Sequence, residues 1–253
     1  MRKFTLAVVL AVAAASSAQA AEIRVMGAAV STGGGLREIG DAFTKKTGIK
    51  VTLVNAGMDK IVGDAKTGTP AADVVMMPMD LMATLALDHG IKPGTFTPLG
   101  RLDIGLFKKP DAPMADISTV AKLAAVMKAA SVVTYTDPAS GSMQATISAD
   151  LLKRPEFAGV KGAVGGRKPT PASADGTLSL GVILGEPDPA PGQVSPTDPS
   201  LIGRLPAELG AHMDMAAAVS ARSEDAKDAQ AFLAFATGPE AAPFWTAKGT
   251  NLY

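Results

Sequence analysis

The sequence predicts an α/β protein of two lobes, each a mostly parallel sheet flanked by helices. Three observations carry that reading. Strand-like and helix-like segments alternate through the front half. Asp73-Val74-Val75-Met76-Met77 is apolar without alternation, as in a parallel strand buried on both faces. The alternation starts again past residue 103, and a last strand–helix block follows residue 215. Two blocks with a return to the first imply two chain crossings, expected near 101–106 and near 201–205. The expected organisation is a removable leader over 1–20, a first lobe of 21–103 plus 203–253, and a second lobe of 104–202.

Each element follows from its residues. Arg2 and Lys3, the apolar run 4–15 and Ala18-Gln19-Ala20 read as a secretory leader with a small-residue cleavage site. That run is too short to span a bilayer. Residues 23–27 form a strand, and Leu36, Ile39, Ala42 and Phe43 share one helical face closed by Gly48. Residues 51–54 are a β-branched strand, followed by a helix with Met58, Ile61, Val62 and Ala65 inward. The strand at 73–77 leads to a helix capped by Asp80 and ended by Gly90. The second lobe begins with a strand at 104–107 and a helix opened by Ser118 that carries Val120, Leu123, Ala124 and Met127. A strand at 131–136 then enters the loop Asp137-Pro138-Ala139-Ser140-Gly141-Ser142 and a helix ending near Leu152. Residues 174–184 read as a helix stopped by Gly185. Glu186-Pro187-Asp188-Pro189-Ala190-Pro191 loses a backbone donor at every proline and reads as a surface connection. A strand at 216–221, a helix from 223 to about 237 and a short helix after Pro239 with Phe244 and Trp245 complete the chain.

Composition narrows the function. The 253 residues carry 24 basic and 24 acidic side chains, so loss of Arg2 and Lys3 leaves a slight acidic excess. No basic field attracts nucleic acid, and no polybasic segment holds a membrane. Cysteine is absent, which removes disulfides and thiolate chemistry. His89 and His212 stand far apart with no ligand-spaced cluster, so neither a metal nor another cofactor is expected. His89, just before Gly90, is expected to serve the helix end.

The candidate site lies at the strand-to-helix turns. Ser31-Thr32-Gly33-Gly34-Gly35 joins the first strand to the first helix. Backbone amides and the positive helix end favour an anion there. Ser31 and Thr32 offer hydroxyls, or a plain helix cap, and the glycines allow close approach of a ligand. Ser140, Gly141 and Ser142 occupy the equivalent turn of the second lobe. Arg101 stands at the first crossing and could fork onto a carboxylate or serve as a hinge ion pair. Gly57 and Met58 offer an amide and an apolar wall on the second turn, and Gln193 and Ser195 are second-lobe candidates. Export and an anion-cradling turn together point to an extracytoplasmic solute receptor, monomeric by default, that binds a small anion.

Several motifs resemble the periplasmic molybdate-binding proteins and the wider type II solute-binding group. They are Ala28-Ala29-Val30-Ser31 ahead of a helix, Thr69-Pro70-Ala71-Ala72-Asp73-Val74-Val75, and Gly238-Pro239-Glu240-Ala241-Ala242. Leu205-Pro206-Ala207-Glu208-Leu209 and Asp137-Pro138-Ala139-Ser140-Gly141 resemble a branch that includes an exported aconitate isomerase. The resemblance implies a two-lobed type II fold, an anion in the cleft and an ABC permease as partner. It also implies a rival function, a cofactor-free isomerase acting on aconitate, for which no Asp/Glu pair marks a catalytic base. Two departures bear on the ligand. The family's second-turn serines are replaced by Asn55-Ala56-Gly57-Met58-Asp59, and Gly192-Gln193-Val194-Ser195 stands where a tyrosine is expected. An organic carboxylate thereby gains on molybdate or tungstate.

Overall fold

The structure, a computed structural model, describes residues 21–28, 31–55, 58–68, 72–185 and 198–253. The leader expected over 1–20 lies outside the described residues. The strands are β1 (Glu22–Gly27), β2 (Lys50–Asn55), β3 (Val74–Pro78), β4 (Thr97–Lys108), β5 (Val132–Tyr135), β6 (Gly162–Val164), β7 (Thr177–Val182), β8 (Leu201–Arg204), β9 (His212–Val219) and β10 (Thr250–Leu252). The α-helices are α1 (Arg37–Thr47), α2 (Met58–Thr67), α3 (Met79–Leu87), α4 (Val120–Ala129), α5 (Met143–Leu152), α6 (Ala226–Ala236) and α7 (Ala242–Thr246).

The strands form one path in the order β2-β1-β3-β9-β4-β7-β5-β6, with β8 and β10 also paired to β4. Pairing is parallel on the two flanks, β2-β1-β3 and β7-β5-β6, and antiparallel around β4 and β9. β4 belongs to both halves. Residues 97–103 pair with β9 and residues 100–102 with β10, whereas residues 104–108 pair with β7 and β8. The two-lobed α/β fold predicted from the alternation is the fold observed.

Burial follows the strand period. In β3 every residue is buried, and Val74 and Met76 enter one core cluster while Val75 and Met77 enter another. The first cluster takes Leu36, Ile39 and Phe43 near and within α1 and continues into the second half through Ile104, Leu106 and Leu180. The second is closed by Ile61 and Ala65 of α2 and by Met82 and Leu85 of α3. Phe43 meets Phe232 edge-on at 5.3 Å, a pairing worth about 1 kcal/mol beyond its burial. Trp245 is buried and donates from Nε1 to Ala236 O at 2.7 Å.

Helix ends show where local chemistry acts. Gly48 closes α1 in the left-handed conformation and returns its N–H to Thr44 O. At the end of α3 that left-handed position falls to His89 (φ 57). Its N–H reaches Ala86 O and the Gly90 N–H reaches Leu85 O, a Schellman closure. Gly90 is required one residue later, because a Cβ there would stand 2.2 Å from Leu85 Cδ1. Asp80 sits in the first turn of α3, where Pro78 holds the cap position. Thr119, one residue past Ser118, caps α4 by accepting from the Lys122 N–H.

The helix expected over 174–184 is instead strand β7, held between β4 and β5. Its residues do alternate, Thr177, Ser179 and Gly181 against Leu178, Leu180 and Val182, so the period-2 signal of a strand was present although both of its polar residues are buried. β4 begins at Thr97, seven residues before the expected strand, across an irregularity between Pro98 and Gly100. Among the described residues no helix is long and apolar enough to cross a membrane.

Candidate anion site at the first helical turn

β1 ends at Gly27, and the chain turns directly into helix. Ala28 O accepts the N–H of Ser31 at 2.9 Å and that of Thr32 at 3.3 Å. Ser31 therefore already has helical backbone angles, φ −67 and ψ −42, and its side chain makes no capping bond. The residue is 3% exposed, and its Oγ has no hydrogen-bond partner among the described residues. A plain cap is thus not its role. A buried hydroxyl left in that state costs about 1–3 kcal/mol. The adjacent Thr32 donates from Oγ1 to Asn55 Oδ1 and ties this turn to the end of β2. Asn55 was not among the sequence candidates; its place at the last position of β2, level with Gly27 of β1, was the available signal.

The three glycines have separate reasons. Gly33 is exposed, and a Cβ there would meet only Leu184 Cδ1 at 3.9 Å. At Gly34 a Cβ would stand 2.7 Å from Thr250 Oγ1, which donates to Gly34 O. Gly35 lies at φ +125, with Phe244 O 2.9 Å from its would-be Cβ. Two of the three therefore serve contact with the C-terminal segment, which corrects the view that the run exists for a ligand. In urea unfolding, Gly33→Ala should change stability by under about 0.5 kcal/mol. Gly35→Ala should cost about 2–3 kcal/mol through left-handed strain and overpacking.

The second half has its own turn. Ser140 Oγ donates to Asp137 O at 2.6 Å, Gly141 takes φ 69, and Ser142 stands at the N-cap of α5 without a side-chain cap bond. Next to it Gln144, 6% exposed, donates from Nε2 to Thr136 Oγ1 at 3.2 Å. This buried amide was missed by sequence reasoning, which registered only the hydroxyls. The halves touch where Leu184, just past β7, nears Gly33 and where the Gly185 N–H meets Lys248 O at 3.1 Å.

Arg101 does not join Ser31 and Thr32. On β4 Leu102 packs toward Gly34, while Arg101 lies in the alternate position with Nε 3.6 Å from Asp103 Oδ1. That ion pair joins two residues of the same strand. Gly57, Gln193 and Ser195 lie outside the described residues; Met58 opens α2. Among the described residues no group of three His, Asp or Glu is placed to hold a metal.

The fold is shared with solved structures of known proteins. The periplasmic molybdate-binding protein of Azotobacter vinelandii superposes with a TM-score of 0.67 at 14% identity, over 91% of this chain and 99% of that one. The tungstate binding protein TupA of Desulfovibrio alaskensis G20 gives 0.61 at 14%, over 92% and 99%. PEB3 of Campylobacter jejuni, solved with L-phospholactate bound, gives 0.56 at 14%, over 89% and 98%. No curated protein sequence matches the chain. The profile described as bacterial extracellular solute-binding protein covers residues 23–251, and the chain belongs to that family.

Proposed function

We propose that this protein captures a small anion between its lobes, in the periplasm, and delivers it to an ABC permease. The lobes in this reading are 21–103 with 203–253, and 104–202. The observation that carries it is the buried, unpartnered Ser31 hydroxyl at a helix N-terminus, beside Thr32 and Asn55. These groups supply hydroxyl and amide dipoles without a cation, which suits an anion held in a closed cleft. Gly33 lies beside them, and Ser140, Gly141 and Ser142 of the second lobe supply the opposite wall. Structural neighbours named for molybdate, tungstate and L-phospholactate support both an oxyanion and a small organic acid as ligand. The missing second-turn serines favour the organic acid.

The test is a thermal-shift screen of the mature protein with molybdate, tungstate, phosphate, sulfate, succinate, citrate and the aconitates, followed by NMR of any ligand that binds. A ligand at about a hundred times its Kd adds roughly 2.7 kcal/mol, or some 5–10 °C in Tm for a chain of this size. The expected result is one such ligand with an unchanged spectrum, its shift lost in the Ser31→Ala/Thr32→Ala double variant. No shift with any anion, or a shift that survives the double variant, would overturn the reading. Conversion of an aconitate isomer would replace it with an isomerase.

A further inference from the structure

The turn that carries Ser31 meets hydrocarbon as well as polar groups. Leu102 of β4 and Leu184 both lie against Gly34, where a Cβ would stand 3.5 Å from Leu102 Cδ2 and 3.8 Å from Leu184 Cδ2. The two leucines differ in what they leave open. Leu102 is 1% exposed and belongs to the core. Leu184 is half-buried and reaches on to Gly33, with its Cδ1 3.9 Å from where a Gly33 Cβ would stand. Gly33 itself is exposed. A partly uncovered leucine therefore borders the exposed backbone of the anion turn.

The backbone fixes this leucine from both sides. The Ile183 N–H donates to Asp103 O at 3.0 Å, which carries the pairing of β7 with β4 past Val182. The Gly185 N–H donates to Lys248 O at 3.1 Å in the C-terminal segment. Leu184 stands between these two anchored residues, so an apolar contact with it requires little further ordering of the chain. A bare tetrahedral oxyanion presents oxygen on every side and would lose water against such a wall without a hydrogen bond in return. An organic acid can turn its acidic group to Ser31 and Gly33 and its alkyl group to Leu184. Each methylene taken out of water there tightens binding by about threefold.

We propose that Leu184 is a specificity-determining residue of the anion site, which it adapts to an organic acid with a short alkyl group in preference to a bare inorganic oxyanion. The inference rests on the cleft reading above and narrows its ligand.

Ligand-observed NMR titration of the mature protein with acetate and butyrate, and with methylphosphonate and propylphosphonate, tests the proposal. The members of each pair differ only in two methylenes. In at least one pair the longer acid should bind saturably and about tenfold tighter than the shorter. Leu184→Asn, similar in size but polar, should bring that ratio below about threefold and leave the shorter acid within about twofold of its wild-type affinity. Leu184→Met, which keeps the hydrocarbon, should retain the ratio. An intermolecular NOE from the terminal methyl of the longer acid to the Leu184 methyls should accompany binding, and it needs no variant. Equal affinity within both pairs, a ratio unchanged in Leu184→Asn, or absence of that NOE would overturn the proposal. So would binding of molybdate or phosphate, lost in the Ser31→Ala/Thr32→Ala double variant, when neither pair of acids binds; the cleft reading would then stand without it. Binding of no anion at all, or binding that survives the double variant, would overturn the cleft reading and this inference with it.

Discussion

Gly100→Val is expected to detach β10 from β4 and to cost about 3 kcal/mol or more in urea unfolding. A Cβ at this position would stand 2.3 Å from Asn251 O and 2.8 Å from Leu252 Cα. Both are backbone atoms, so no side-chain rotation relieves the clash. The strand it displaces is short but well connected. Thr250 Oγ1 donates to Gly34 O at 3.0 Å and thereby braces the turn that holds Ser31. Asn251 Nδ2 donates to Asp103 of β4 at 2.9 Å. The substitution should therefore weaken anion binding along with stability, and the two losses should appear together in denaturation and calorimetry. A Gly100→Val protein with wild-type stability would mean that β10 does not hold this register. The neighbouring Leu99→Val change, which keeps an apolar side chain in the core, is the control and should cost at most about 1.5 kcal/mol.

This case also shows what was legible in the sequence. α1 was readable because Leu36, Ile39 and Phe43 recur on one face and Gly48 supplies the left-handed end, both local signals. β3 was readable because an apolar run with no alternation fits a strand between two cores. β7 was misread, although Thr177, Ser179 and Gly181 alternate with Leu178, Leu180 and Val182 at the strand period. Gly181 is required there because a Cβ would stand 2.3 Å from Arg167 Cγ, and nothing in residues 177–182 announces that approach. The first part of β4 was hidden in the same way. Pro98 and Gly100 look like breakers, yet one sits at an irregularity and the other admits β10. At the site, Ser31 and Thr32 stood out as hydroxyls before a helix. Gly34 and Gly35 were misassigned because close approach of a ligand and close approach of the chain's own C-terminus leave the same mark. Arg101 was open between a cleft role and a hinge role for a related reason: only the register of β4 against β9 and β10 decides which way it turns.

Ser31→Ala should separate what the turn does for stability from what it does for binding. The Ser31 hydroxyl is buried without a hydrogen-bond partner among the described residues. Removing it relieves an unpaired polar group and leaves a methyl in an already packed place, with Gly27 close by. Ligand-free stability should therefore stay level or rise by up to about 1 kcal/mol. Affinity for the proposed anion should fall, because the same hydroxyl is the donor that such an anion would meet. A hydrogen bond to a charged group is worth about 1.5–3 kcal/mol, so Kd should rise roughly tenfold to a hundredfold. Urea unfolding without ligand and calorimetry with it measure the two quantities on one preparation. A purely structural serine would give the opposite pair, a loss of stability with affinity unchanged. A gain in stability together with a loss of affinity is what a protein shows when it keeps a polar group unpaired for a ligand, and Ser31 is placed to show it.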